Sequence, residues 1–163
     1  MIIKAGERGL ELRTGVEPEF FLLSPDGTSV ADSADRQRKP CYDQMTIMRN
    51  YEIIRAICHA MEALAWEPYQ CDHEDACGQY ELNWKFSSCL VTADRHSFFK
   101  YMVRTIAEQH GMRATFMPKP FEELTGSGCH AHISAWRGGA MSSLSQQTDM
   151  GCRRHASTLS GRS

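Results

Sequence analysis

Three segments of the chain place acid or imidazole side chains two residues apart: Glu17-Pro18-Glu19, the run from His73-Glu74 to Glu81, and His130-Ala131-His132. An extended strand sends alternate side chains to opposite faces. Glu17 and Glu19, then Glu81, Asn83 and Lys85, then His130, His132 and Ser134 can therefore each line one side of a strand. The residues between them are mostly apolar: Val16, Phe20 and Leu22; Leu82, Trp84 and Phe86; Ile133. This alternation constrains the chain to a sheet with a packed apolar face and an opposite face lined by carboxylates and imidazoles. A stable fold needs no such face, but a site for metal ions does.

Four carboxylates, Glu17, Glu19, Glu74 and Glu81, repel one another if a partly buried cleft gathers them, and either protonation or cations must relieve that repulsion. Two divalent ions would balance their formal charge, and hard oxygen ligands with imidazole suit Mg²⁺ or Mn²⁺. Taken alone, each acidic pair is what an ordinary solvated surface shows, and His130-x-His132 is what a polar strand face shows. Only the joint pattern points to a site.

With 163 residues and 42% hydrophobic composition, the chain is long enough for one core. Its net charge of -2, from 18 basic and 20 acidic residues, gives no general electrostatic reason to expect nucleic acid or a lipid surface. No apolar run approaches the roughly 20 residues that span a bilayer. The opening Met1-Ile2-Ile3-Lys4 lacks the regions of a secretory signal, so a cytoplasmic location is expected. Seven cysteines, an odd number without a C-x-x-C pair, point to free thiols in a reducing compartment. Cys71, His73 and Cys77, with His59 from a preceding helix, form a weak alternative zinc set whose spacing matches no standard structural site.

A strand is predicted over residues 14–23, closed by the turn Ser24-Pro25-Asp26-Gly27, and residues 28–40 read as loop. Ile47, Tyr51, Ile54, Cys58, Met61 and Ala65 fall on one helical stripe, which predicts a helix over about 43–64. A second strand starts at Gly78-Gln79-Tyr80-Glu81. A second helix is predicted over about 94–110, capped by Asp94 and stopped by Gly111, with Phe99, Met102, Val103 and Ile106 turned inward. Residues 113–117 read as a strand, followed by Pro118-Lys119-Pro120, the loop Thr125-Gly126-Ser127-Gly128 and the histidine strand. The order of strands and helices makes the fold class α+β. The last 27 residues contain six Ser, four Gly and four Arg and no aromatic residue. Residues 137–163 are accordingly expected to be disordered, or not a native continuation of the fold.

Four motifs in register carry a resemblance. Glu17-Pro18-Glu19-Phe20-Phe21, His73-Glu74 with Gly78-Gln79-Tyr80-Glu81, Ala114-Thr115-Phe116-Met117-Pro118-Lys119-Pro120 and Gly126-Ser127-Gly128-Cys129-His130-Ala131-His132-Ile133-Ser134 resemble the catalytic domain of glutamine synthetases, from about Gly15 to Trp136. The wording is most similar to the type III-like branch, which includes γ-glutamylmethylamide synthetases. The resemblance implies a curved antiparallel sheet with flanking helices. It also implies ligation of ammonia or a small amine to glutamate at the expense of ATP, through a γ-glutamyl phosphate.

By the same resemblance, Glu19, Glu74 and Glu81 hold a metal ion near the substrate, while Glu17 and His130 hold the ion that meets the ATP γ-phosphate. His132 and Ser134 match nucleotide contacts, Phe86 matches a backbone contact to the nucleotide, and Gly126 matches a backbone contact to glutamate. Thr125 stands where many members have asparagine. Family subunits are longer and assemble as homo-oligomeric rings, so residues 1–136 are expected to be a partial catalytic domain. A metal- or nucleotide-binding remnant and an assembly module without turnover are the competing readings.

Overall fold

The structure, a computed structural model, describes residues 2–142 and the backbone of residues 146–149. In chain order the elements are α1 (Ile2–Gly6), β1 (Glu11–Leu23), α2 (Gln44–Arg49), α3 (Tyr51–Ala63), β2 (Pro68–His73), β3 (Gln79–Trp84), β4 (Ser87–Ser88), α4 (Cys89–Gln109), β5 (Arg113–Thr115), β6 (Cys129–Arg137), β7 (Ala140–Met141) and β8 (Gln146–Asp149). The strands form one curled antiparallel sheet in the order β2-β3-β1-β6-β7, with β4 and β5 also on β1 and β8 on β6.

The long β1 organises this sheet because its two halves take different partners. Its first half pairs with β6, with Glu17 opposite His130 and Gly15 opposite His132. Its second half pairs with β3, with Glu19 opposite Glu81, and then with β5. The register puts Glu17, Glu19, Glu81, His130, His132 and Ser134 on one face. Phe20 and Leu22 of β1 go to the other face with Tyr80, Leu82 and Trp84 of β3. There they meet Ile53, Ile57 and Met61 of α3 and Phe99 and Val103 of α4, all buried. Phe99 sits edge-on to Phe20 at 6.1 Å and 5.0 Å from Trp84. Burial of each such side chain contributes roughly 1.5–3 kcal/mol, so this aromatic and aliphatic layer is the platform under the polar face.

The polar face does not run the length of β1. Beyond Glu19, the residues of the same parity are Phe21 and Leu23, which pack with Ala76, Val30, Phe121 and Leu124 in a second small cluster. This cluster seats the loop before β6 against the sheet, next to the acidic residues.

Several predicted boundaries shift. The single helix over 43–64 is two, because Asn50 leaves helical geometry (φ -102°, ψ 17°) and caps both. Its amide donates to the Thr46 carbonyl and to Asp32. Asp43 is the true start, accepting from the Met45 N–H at 3.0 Å. The second helix begins at Cys89 after Ser88 rather than at Asp94, which lies inside it. The strand after Gly111 covers only Arg113–Thr115. Strand β2, which the sequence did not show, adds to the edge of β3. The expectation for residues 137–163 lies in large part outside the described residues; within them, 140–141 and 146–149 pair with β6.

Candidate metal and nucleotide site

The cross-strand pair Glu17–His130 brings β1 and β6 ligands together, and the β1–β3 pairing adds Glu81. Glu17, Glu81 and His130 offer ligand atoms that all lie within 4.8 Å of one another. Glu17 is the hub of the imidazole side: its Oε2 is 3.5 Å from His130 Nδ1, and its Oε1 accepts from His132 Nε2 at 2.8 Å.

Glu19 is held separately. Its Oε2 accepts from the Gln79 amide at 2.9 Å and from the Gly128 N–H at 3.0 Å. A Cβ at Gly128 would stand 3.0 Å from Glu19 Oε1, so glycine there leaves the carboxylate its place. Glu74, on the turn between β2 and β3, lies outside the group of three but close to the other acids. Burial pushes its pKa up to about 7, and the neighbouring Glu81, Glu19 and Asp72 add to the rise. Burial also raises the pKa of Glu81. The Asn83 amide, which donates to Glu81 Oε1 at 2.8 Å, works against the rise, and the charges of Glu17, Glu19 and Asp72 add to it.

These donors fit a hard divalent ion. Carboxylate oxygens and one imidazole converge, and the acids carry a repulsion that positive charge would relieve. Of the five residues expected as ligands, Glu17, Glu81 and His130 converge closely enough to hold one ion together, while Glu19 and Glu74 lie outside that group.

Beside the cluster opens a cleft of about 480 Å³, lined by Glu17, Tyr69, Phe86, His132, Ser134 and Trp136 among others. Phe86 stacks on Trp136 with centroids 5.8 Å apart, and the Arg13 guanidinium lies 4.3 Å over the other partner, Trp136. The indole N–H of Trp136 donates to Ser134 Oγ at 2.8 Å. An aromatic wall next to an edge of carboxylates and imidazoles that could hold a cation is suited to a flat ring attached to a phosphate chain. Trp136 shares the parity of His130, His132 and Ser134 and was legible by that rule, although the sequence reading did not select it.

Gly126 and Thr125 lie in the loop before β6. The Gly126 carbonyl accepts from the Gln79 amide at 3.1 Å. A Cβ at Gly126 would fall 2.5 Å from the Pro118 carbonyl oxygen, so the loop is closed too tightly there for a side chain. The Thr125 hydroxyl donates to Asp75 at 2.9 Å, so its side chain is engaged by the same turn that carries Glu74.

The zinc alternative fails on geometry: among the described residues the ligand atoms that converge are those of Glu17, Glu81 and His130, not those of Cys71, His73 and Cys77. His73 is fully buried on the core side of β2, with its Nε2 2.8 Å from Asp35. His59 is exposed on α3. Gln79 and Asp35, which hold Glu19 and the turn that carries Glu74, were not apparent from sequence because their partners lie far along the chain.

A family description, the catalytic domain of glutamine synthetase, matches residues 1–158. The chain belongs to the glutamine synthetase family. Among curated relatives it is 60% identical over 136 residues to a glutamine synthetase of Rhizobium meliloti, covering 83% of this chain and 31% of that protein. It is 40% identical over 129 residues to a glutamate–methylamine ligase of Methyloversatilis universalis, covering 78% of this chain and 29% of that protein. A solved complex of GmaS with ADP superposes with a TM-score of 0.83 at 55% identity, over 86% of this chain and 33% of that one. The chain thus spans about a third of the length of the glutamine synthetase family proteins it matches.

Proposed function

We propose that this chain forms part of an ATP-dependent ligase site that joins ammonia or a small amine to the side-chain carboxylate of glutamate through a γ-glutamyl phosphate. One juxtaposition carries the reading: Glu17, Glu81 and His130 converge beside the aromatic cleft of Phe86 and Trp136, in a chain of the glutamine synthetase family. Glu19, Glu74 and Glu81 would hold an ion on the glutamate side, and Glu17 and His130 would hold a second on the nucleotide side. When bound, Mg²⁺ or Mn²⁺ screens the repulsion between the anionic glutamate and the triphosphate.

The chain's own groups do the positioning. His132, Ser134 and Phe86 hold the nucleotide along the cleft, and His132 also fixes Glu17 through its 2.8 Å bond. Gln79 sets Glu19 and the Gly126 carbonyl in one arrangement. Gly126, with Thr125 beside it, supplies backbone to glutamate. Positioning and charge are most of what phosphoryl transfer requires, and no covalent protein nucleophile is needed. A homo-oligomeric ring and a cytoplasmic setting belong to the same reading.

The test is an assay of phosphate release by the purified chain with ATP, glutamate, Mg²⁺ or Mn²⁺, and either ammonium or methylamine. Release that needs both glutamate and amine, with a γ-glutamyl product identified by mass, supports the proposal and names the amine. Binding of Mn²⁺ and ATP without glutamate-dependent release points instead to a metal- and nucleotide-binding module.

A further inference from the structure

Asp35 and His73 form a pair with no solvent exposure at either side chain, beside the turn that carries Glu74. Asp35 Oδ2 accepts from His73 Nε2 at 2.8 Å and from the Gly78 N–H at 2.6 Å. These two donors stand at either end of the turn that carries Glu74. The loop around Asp35 grips that turn at three more points. The Tyr42 N–H donates to the His73 carbonyl at 2.7 Å, the Cys77 thiol donates to the Gln37 carbonyl at 3.2 Å, and Lys39 lies 3.5 Å from Asp75. Lys39 and Tyr42 adopt positive φ (54° and 65°), a conformation that side-chain-bearing residues seldom hold unless their surroundings impose it.

A buried carboxylate shared by two donors 38 and 43 residues away is costly to desolvate unless those donors are held against it. Here it fixes the span from His73 to Gly78, and with it the direction in which Glu74 leaves the turn. We infer that Asp35 is a positioning residue that aims the Glu74 carboxylate at the metal cluster by clamping both ends of the His73–Gly78 turn. The inference rests on the proposed role of Glu74 as a metal ligand. Asp35 itself touches neither ion nor substrate.

Mn²⁺ titration calorimetry on the full chain tests it with five proteins: wild type, Glu74→Gln, Asp35→Ala, Asp35→Asn and the double variant Asp35→Ala/Glu74→Gln. Residues that orient a metal ligand typically contribute about 10- to 100-fold to affinity. Asp35→Ala, with its far-UV circular dichroism unchanged, is expected to bind Mn²⁺ at least about tenfold more weakly. Asp35→Asn keeps an acceptor oxygen for both donors and is expected to stay near wild type. In the Glu74→Gln background, loss of Asp35 is expected to cost nothing further, which a merely structural role would not produce.

Wild-type binding by folded Asp35→Ala, equal weakening in both backgrounds, or an asparagine variant as weak as alanine overturns the inference. If alanine prevents folding, Asp35→Ser takes its place with the same expectation. Failure of both to fold also overturns the inference, because Asp35 would then hold the whole fold rather than aim one side chain. Wild-type Mn²⁺ affinity in Glu74→Gln alone refutes the underlying metal reading instead, so the two failures are told apart.

Discussion

The imidazole of His132 donates from Nε2 to Glu17 Oε1 at 2.8 Å, while His130, two residues earlier on the same strand, approaches the other oxygen of that carboxylate at 3.5 Å. One carboxylate therefore meets two histidines, and the two have separable roles. Only His130 belongs to the group whose ligand atoms converge within 4.8 Å. His130→Ala is expected to weaken Mn²⁺ binding about tenfold or more, and His132→Ala is expected to act mainly on ADP binding. Paired calorimetric titrations with Mn²⁺ and with ADP separate the two.

The raised pKa of Glu74 sets a pH dependence. Its carboxyl ordinarily titrates near 4.5 and in the folded chain near 7, so between these values the folded state binds the extra proton. Stability from this group is fully present below about 4.5 and is lost as pH rises through about 7. For a group only half buried the loss is on the order of 1 kcal/mol. Thermal melts of the metal-free chain from pH 5 to 8 should show wild type falling more steeply than Glu74→Gln. Mn²⁺ affinity should rise over the same range, because the ion competes with the proton.

Gln79 is fully buried, and its amide reaches Glu19 Oε2, the Gly126 carbonyl and Ser127 Oγ, while its Oε1 accepts from the Ala76 N–H. Gln79→Ala strands several buried polar groups at once and should cost about 2–4 kcal/mol. Urea denaturation measures this. Near-wild-type stability would show that the network contributes little.

Two glycines should respond in opposite ways to alanine. At Gly126 the added carbon meets the Pro118 carbonyl at 2.5 Å, whereas at Gly6 nothing lies within 4 Å. Gly126→Ala is expected to cost more than about 2 kcal/mol, and Gly6→Ala, in a helix, is expected to be neutral or slightly stabilising. Denaturation midpoints of the two variants decide it.

The aromatic cleft offers an optical test. Trp66 and Trp84 are packed in the core, while Trp136 lines the cleft against Phe86. ATP or ADP should change the tryptophan emission of the wild type, and Trp136→Phe should remove most of that change. An unchanged response in the variant would place the nucleotide elsewhere.

What the sequence made legible was local. Alternation along β1, β3 and β6 assigned the polar face, because side-chain parity on a strand depends only on neighbours. Asn50 interrupts the predicted helix, and of its two side-chain partners Thr46 is local while Asp32 lies 18 residues away. Strand β2 escaped notice because its outward residues are polar and it needs β3 to define it. The roles of Gln79 and Asp35 were missed for a related reason. Gln79 reaches Gly126 across 47 residues and Asp35 reaches His73 across 38, and no local pattern marks either bond. The zinc set shows the converse error: Cys71, His73 and Cys77 are near in sequence, but β2 turns Cys71 and His73 toward the core side.

The most direct measurement is a calorimetric Mn²⁺ titration of the wild type beside Glu81→Gln, which keeps the side chain's size while removing its charge. Glu81 sits with Glu17 and His130 in the convergent group and is buried among the other acids. A functional metal site gives saturable Mn²⁺ binding in the wild type and affinity at least about tenfold lower in the variant. Equal heats in the two proteins would contradict the assignment of this carboxylate and imidazole cluster as the metal centre.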